Sequence, residues 1–159
     1  MSKNFPHHLP KLAKVLSQTG SLTALLEQQA GKPLQVQVLS EGLRPLTHQQ
    51  KSLLGLPPKM HLAWVRTVRL YGSDDDAWVL ANSVFPLSAL VGRLKRLKFL
   101  GKTPIGYVLF RQYRTLPYER SFYQSDTGNY GRRTVYAVDG HKILIDEQFL
   151  PSFVARLAD

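Results

Sequence analysis

Apolar residues recur every three or four positions in the first third of the chain and every second position through much of the remainder. The first spacing predicts helices over LPKLAKVLSQ and SLTALLEQQAG, with Ser21 as an N-cap and Gly31 as the C-terminal stop. The second predicts strands: LQVQVLSEG, with Leu34, Val36 and Val38 on one face, then LAWVRTVRLYG and AWVLANSVFP, joined into a hairpin by the polar turn Ser73 to Asp76. Three more strands follow in ERSFYQS, RRTVYAVDG and HKILIDEQFLP, separated by the turn signals DTGNYG and DGH. The stretch from Arg44 to Lys59 reads as a connection with one short helix around Gln49 to Leu54. Leu87, Leu90, Val91, Leu94 and Leu97 have helical spacing, with Arg93, Lys95, Arg96 and Lys98 mostly around the other side, and a second short helix is expected after Thr103. Helices, a hairpin, a helical excursion and a closing set of strands make an α+β domain with an antiparallel sheet covered by helices, occupying residues 1–159 as one unit.

Two of these strands carry a charge on an otherwise apolar face. Alternation groups Leu62, Trp64, Arg66, Val68 and Leu70 on one side of the first hairpin strand, and Ile143, Ile145, Glu147 and Phe149 on one side of the last. A guanidinium and a carboxylate are thereby aimed at the core, where an unpaired charge costs several kcal/mol, so each needs a partner. The partner is either the other residue or a polar, charged ligand. In the second case Arg66 binds a carboxylate in bidentate fashion and Glu147 accepts a hydrogen bond from a hydroxyl. Arg132 and Arg133, at the start of another strand, place one guanidinium inward and one outward and are secondary candidates for ligand contact.

Composition narrows the ligand. With 21 Lys+Arg against 11 Asp+Glu the formal charge is +10, which favours anionic partners of any size. The absence of cysteine excludes disulfides, thiolate catalysis and cysteine-based zinc sites. No apolar run is long enough to span a membrane, and Pro6, Pro10, Lys11 and Lys14 interrupt any signal-like start, so a cytoplasmic protein without stable membrane insertion is expected. The five histidines show no metal-ligand spacing, and no Gly-x-Ser-x-Gly elbow occurs. GRLKRLKFLGK is basic, but Tyr107, Tyr113, Tyr118, Tyr123, Tyr130 and Tyr136 form no RNA-binding signature and are read as packing residues, so no nucleic-acid partner is expected.

GKTPIG, residues 101–106, is not a nucleotide P-loop, because Arg96 stands where the first glycine belongs. Thr103 as N-cap and Pro104 as first helical residue instead leave the amides of Ile105 and Gly106 at the positive end of a helix, where a carboxylate can be held.

Taken together, SEGL, WVRTVRL, AWVLANSVFPLSAL, LGKTPIGYVLF, YGRRTVY and ILIDEQFLP, in order from about Ser21 to Pro151, resemble the chorismate pyruvate-lyase family. The resemblance implies a cofactor-free carbon–oxygen lyase, without metal, that converts chorismate to 4-hydroxybenzoate and pyruvate for bacterial ubiquinone synthesis. It also implies a monomer with a single antiparallel-sheet domain whose site is closed by helical flaps. By position, the family's carboxylate-binding arginine falls on Arg66, its acidic residue near the ring hydroxyl on Glu147, and its two backbone contacts to the ring carboxylate on Leu22 and Ile105. The competing expectation is a non-catalytic effector-binding domain like those of bacterial transcription regulators. Such domains normally follow a DNA-binding helix-turn-helix, whereas here the segment before the first expected strand, at Leu34, is short.

Overall fold

The computed structural model describes residues 4–112 and 116–158. Six antiparallel strands form one sheet: β1 (Gln35–Pro45), β2 (Leu62–Tyr71), β3 (Val79–Pro86), β4 (Tyr118–Gln124), β5 (Tyr130–Val138) and β6 (His141–Phe149), in the spatial order β1-β2-β3-β6-β5-β4. Five helices accompany it: α1 (Pro10–Ser17), α2 (Leu22–Ala30), α3 (His48–Leu54), α4 (Ile105–Gln112) and α5 (Pro151–Ala158). The α+β architecture expected from the sequence is therefore present, with β6 inserted between the β2–β3 hairpin and the β4–β5 hairpin.

The caps read from the sequence operate as chemistry requires. Ser21 accepts from the Ala24 amide at 3.2 Å, and Gly31 takes a left-handed conformation (φ 69°) at the end of α2. Thr47 and Gln50 form a reciprocal capping box that starts α3 within the connection from Arg44 to Lys59.

Several expectations are corrected. The segment read as a helix over Leu87 to Leu100 is two 3₁₀ stretches, Leu87–Ala89 and Gly92–Phe99. Val91 supplies no side-chain cap, like charges crowd Arg93, Lys95, Arg96 and Lys98, and a period of three puts Leu94, Leu97 and Leu100 on one buried face. Helix α4 starts at Ile105, so Pro104 precedes the helix. Leu62 is 39% exposed instead of sharing the buried face of β2, because it sits at the strand's open end opposite Pro45. Tyr136 is a core residue, but Tyr107 and Tyr118 are exposed; Tyr113 lies outside the described residues. Helix α5 has no counterpart in the sequence reading.

Both faces of the sheet are covered, unequally. α3 packs on one side over Ala63, Val84, Val135 and Leu144. The other face carries two larger apolar clusters. One joins α1, α2 and α5 to Val68, Leu70, Trp78, Val79 and Phe149; the other joins α4 and the 3₁₀ segment to Phe85, Tyr136, Ile143 and Ile145. The site occupies the seam between them.

Trp78 anchors the first cluster. It is fully buried, its Nε1 donates to Asp74 at 2.6 Å, and its backbone links Leu70 to Leu150. A Cβ on Gly72 would lie 2.3 Å from the indole, so only glycine allows this approach. Gly72→Ala is expected to destabilise the fold by about 1–3 kcal/mol, visible as a lower urea midpoint with an unchanged slope. An unchanged midpoint would show that the indole shifts freely.

Candidate active site

The buried polar side chains gather in one belt. Among the described residues they are Thr23, Arg66, Ser83, Arg132, Thr134 and Glu147. Register explains the grouping: Arg66 pairs with Ser83, Ser83 with Ile145, and Ile145 with Thr134, while Glu147 pairs with Ala81 on one side and Arg132 on the other. Cross-strand partners share a face, so all five sheet residues point into the seam. Thr23 reaches it from α2.

Arg66 is 1% exposed. Its Nη2 donates to the carbonyls of Gly101 (2.9 Å) and Thr103 (3.0 Å), tying β2 to the loop that opens α4. Its Nε is buried with no partner. An unmatched guanidinium donor in the interior costs about 1–3 kcal/mol or more, which is tolerable where an anion completes it. Burial pulls the guanidinium below its ordinary pKa, and Glu41, the exposed residue paired with it across the β1–β2 ladder, pushes it back up. With Nη2 already engaged, Nε and Nη1 are the guanidinium nitrogens left to face an anion, beside neighbouring backbone amides.

Those amides come from two helix N-termini that meet beside Arg66. A Cβ on Gly106 would lie 2.4 Å from Thr23 Oγ1 and 2.9 Å from Ser21 Oγ, so glycine permits α2 and α4 to touch at their first turns. Leu22 and Ile105 are the first residues of these helices, and their positive ends converge. The Tyr107 hydroxyl donates to Glu27 across the same seam, and a surface depression lined by Ser21, Ala24, Gly106, Tyr107 and Phe110 marks it. The proximity to Glu27 raises the Tyr107 pKa.

Glu147 does not pair with Arg66. The two lie two strands apart and two residues out of register, roughly 12 Å between backbones from standard strand spacings. Arg132 is the partner instead: its Nε donates to Glu147 Oε1 at 2.8 Å, and its Nη1 donates to the carbonyls of Val15, Leu16 and Gln18 at the C-terminal end of α1. Arg133 faces the other way, onto Asp146. Arg120 on β4 reaches the same carbonyls, donating to Leu16 (3.2 Å) and Gln18 (2.8 Å), and its Nε donates to Thr134. Burial and the neighbouring Arg132 lower the Arg120 pKa, while burial and Glu147 raise that of Tyr136, whose hydroxyl accepts a 3.4 Å hydrogen bond from Arg120 Nη2.

The α1–α2 corner therefore roofs the belt with opposite polarity at its two ends. The carbonyl end of α1 is pinned by Arg132 and Arg120, and the amide end of α2 touches the start of α4, whose opening loop Arg66 holds. Alternation exposes Arg66, Glu147 and the inward member of the Arg132–Arg133 pair; it does not reach Arg120 and Thr23, and it gives Tyr136 only a packing role, since their place in the belt depends on register and on backbone carbonyls that have no residue signature.

This arrangement suits a small anion: an open cationic donor and two helix ends at one pole, a carboxylate held by a guanidinium at the other, apolar walls between. If Arg132 holds Glu147 in the interior, Arg132→Met is expected to cost about 3–5 kcal/mol by leaving a buried charge alone. The Arg132→Met/Glu147→Leu double variant should recover most of it in chemical denaturation. Additive losses would contradict the pairing.

The chorismate lyase family model matches residues 2–157. A protein from Psychrobacter arcticus named as a probable chorismate pyruvate-lyase is 47% identical, over 98% of this chain and 95% of its own. The Escherichia coli (strain 55989) protein named chorismate pyruvate-lyase is 34% identical over 94% of this chain and 88% of its own. Among solved structures, the effector domain of PhnF from Mycobacterium smegmatis superposes with a TM-score of 0.56 at 12% identity, covering 84% of this chain and 90% of that one. A GntR-family regulator from Bacillus cereus gives 0.54 at 9%, covering 75% and 92%. At such identities the regulators share the fold alone. The family match across nearly the whole chain and the close full-length relatives show that this chain belongs to the chorismate lyase family.

Proposed function

We propose that this chain is a chorismate pyruvate-lyase, that the ring carboxylate of chorismate binds at Arg66 between the first turns of α2 and α4, and that Glu147 orients the 4-hydroxyl. The orphaned Nε of Arg66 is the observation that carries the assignment: a buried cationic donor needs an acceptor. Leu22 and Ile105 contribute backbone N–H groups, and their helix ends add positive potential at the same pole. Glu147 has one oxygen committed to Arg132 and accepts the hydroxyl proton's hydrogen bond with the other.

The reaction follows from fixing these two poles. The C3–O ether bond breaks, the C4 hydrogen passes to the methylene carbon of the enolpyruvyl group, and a double bond forms between C3 and C4. The ring becomes 4-hydroxybenzoate and the side chain becomes pyruvate, so atoms and electrons balance within the substrate. Aromatisation supplies the driving force. The protein's contribution is to hold the conformer in which the methylene faces the C4 hydrogen, with charges set in advance in a site closed to water. Glu147 then orients the ring and need not take the C4 proton. The product feeds ubiquinone synthesis, as the family implies.

Purified protein given chorismate should generate 4-hydroxybenzoate, followed in the ultraviolet, and bind added 4-hydroxybenzoate in calorimetry. Arg66→Ala is expected to lose most turnover and to weaken that binding at least about tenfold, the size of a charged hydrogen bond. Wild-type affinity in this variant would place the carboxylate elsewhere.

A further inference from the structure

Cationic charge in the belt exceeds what Glu147 and one ring carboxylate neutralise. Among the described residues, Arg66, Arg132 and the half-buried Arg120 converge on the seam against one buried carboxylate, Glu147, with the exposed Glu41 opposite Arg66 at the open side and the carbonyl end of a short helix adding partial negative charge. Arg120 and Arg132 are immediate neighbours, since their Nη1 atoms lie 2.8 and 3.3 Å from the same Gln18 carbonyl oxygen. Two guanidiniums this close, one buried and one half-buried, repel unless an anion offsets them. Glu147 offsets Arg132, so a monoanion at Arg66 leaves one positive charge of this second cluster without an anion of its own.

We propose that Arg120, Arg132 and the Tyr136 hydroxyl form a subsite for a second carboxylate, that of the enolpyruvyl arm. The inference rests on the reading of the site given above. A substrate with its ring carboxylate at Arg66 and its 4-hydroxyl at Glu147 carries the ether on the ring carbon next to that hydroxyl, so the arm's carboxylate lies close to Glu147. Arg132 flanks Glu147 directly across the β5–β6 ladder, and Arg120 stands on the next strand. The donors are open: among the described residues Arg132 Nη2 makes no hydrogen bond, and Arg120 Nη2 makes only a long one, 3.4 Å, to Tyr136 Oη. Along the strands in either direction the walls are apolar, with Phe149 on one side and Ile143 on the other. The inner groups of the belt, leaving aside the exposed Glu41, thus balance with a dianion, and after cleavage each product keeps one carboxylate at one cluster.

The product 4-hydroxybenzoate lacks the arm, which separates a ligand contact from a structural one. In the full chain, Arg120→Gln is expected to raise KM for chorismate at least about tenfold while the calorimetric Kd for 4-hydroxybenzoate stays within about twofold. Arg120→Lys should restore part of the loss by returning the charge. Equal weakening of substrate and product would make Arg120 a clamp on α1 only, and no change in either would remove it from the site; both overturn the proposal. If Arg120→Gln fails to fold, Tyr136→Phe measured in the same two assays decides: a rise in chorismate KM alone supports the subsite, and a parallel change or none overturns it. Failure of the wild-type chain to turn over chorismate would count against the functional reading itself, whereas turnover with an indifferent Arg120→Gln counts against the subsite alone.

Discussion

A buried arginine whose Nε is left without a partner is the constraint around which the rest of this structure is arranged. Arg66 cannot leave the core without breaking the inner face of β2, and its Nη2 fastens the Gly101–Thr103 loop, so the start of α4 is delivered to the same point. Gly106 then lets α2 close against α4. Three separate stretches of chain are thereby gathered around a donor that lacks an acceptor, and the proposed ring carboxylate is the group that completes the set.

The opposite pole uses the same economy. Glu147 would be an isolated interior charge without Arg132, and Arg132 in turn holds the end of α1, so the proposed hydroxyl acceptor is connected to the roof above it. Polar groups are expensive to bury, and a fold seeking stability alone would fill this seam with apolar side chains. Their concentration between two well-packed clusters marks the seam as the working part of the molecule. The outer face carries its own polar cluster, in which Tyr123 donates to Asp146 and stacks against Arg133, but that group is closed upon itself.

Alternation made the inward direction of Arg66 and Glu147 legible, because a period of two leaves no choice of face once the neighbours are apolar. It could not say which partner each would meet. That depends on β6 lying between β3 and β5, which brings Arg132 beside Glu147 and keeps Arg66 two strands away. Caps at Ser21 and Gly31 were readable for a local reason: their chemistry acts within a few residues. The carbonyls of Val15, Leu16 and Gln18 were not, since any residue supplies them. The segment after Leu87 shows the limit of spacing arguments, as leucines three apart satisfy an α-helix over one turn but a 3₁₀ helix over several, and like charges with no cap tip the balance.

The central claim is that an anion completes Arg66. The nitrogen-15 resonance and exchange rate of the Arg66 Nε–H, observed while 4-hydroxybenzoate is titrated into labelled protein, test it most directly. The account expects that signal to move downfield and its proton to become protected from solvent in step with binding. A ligand that saturates the protein while the Arg66 Nε–H remains unmoved and unprotected would contradict it.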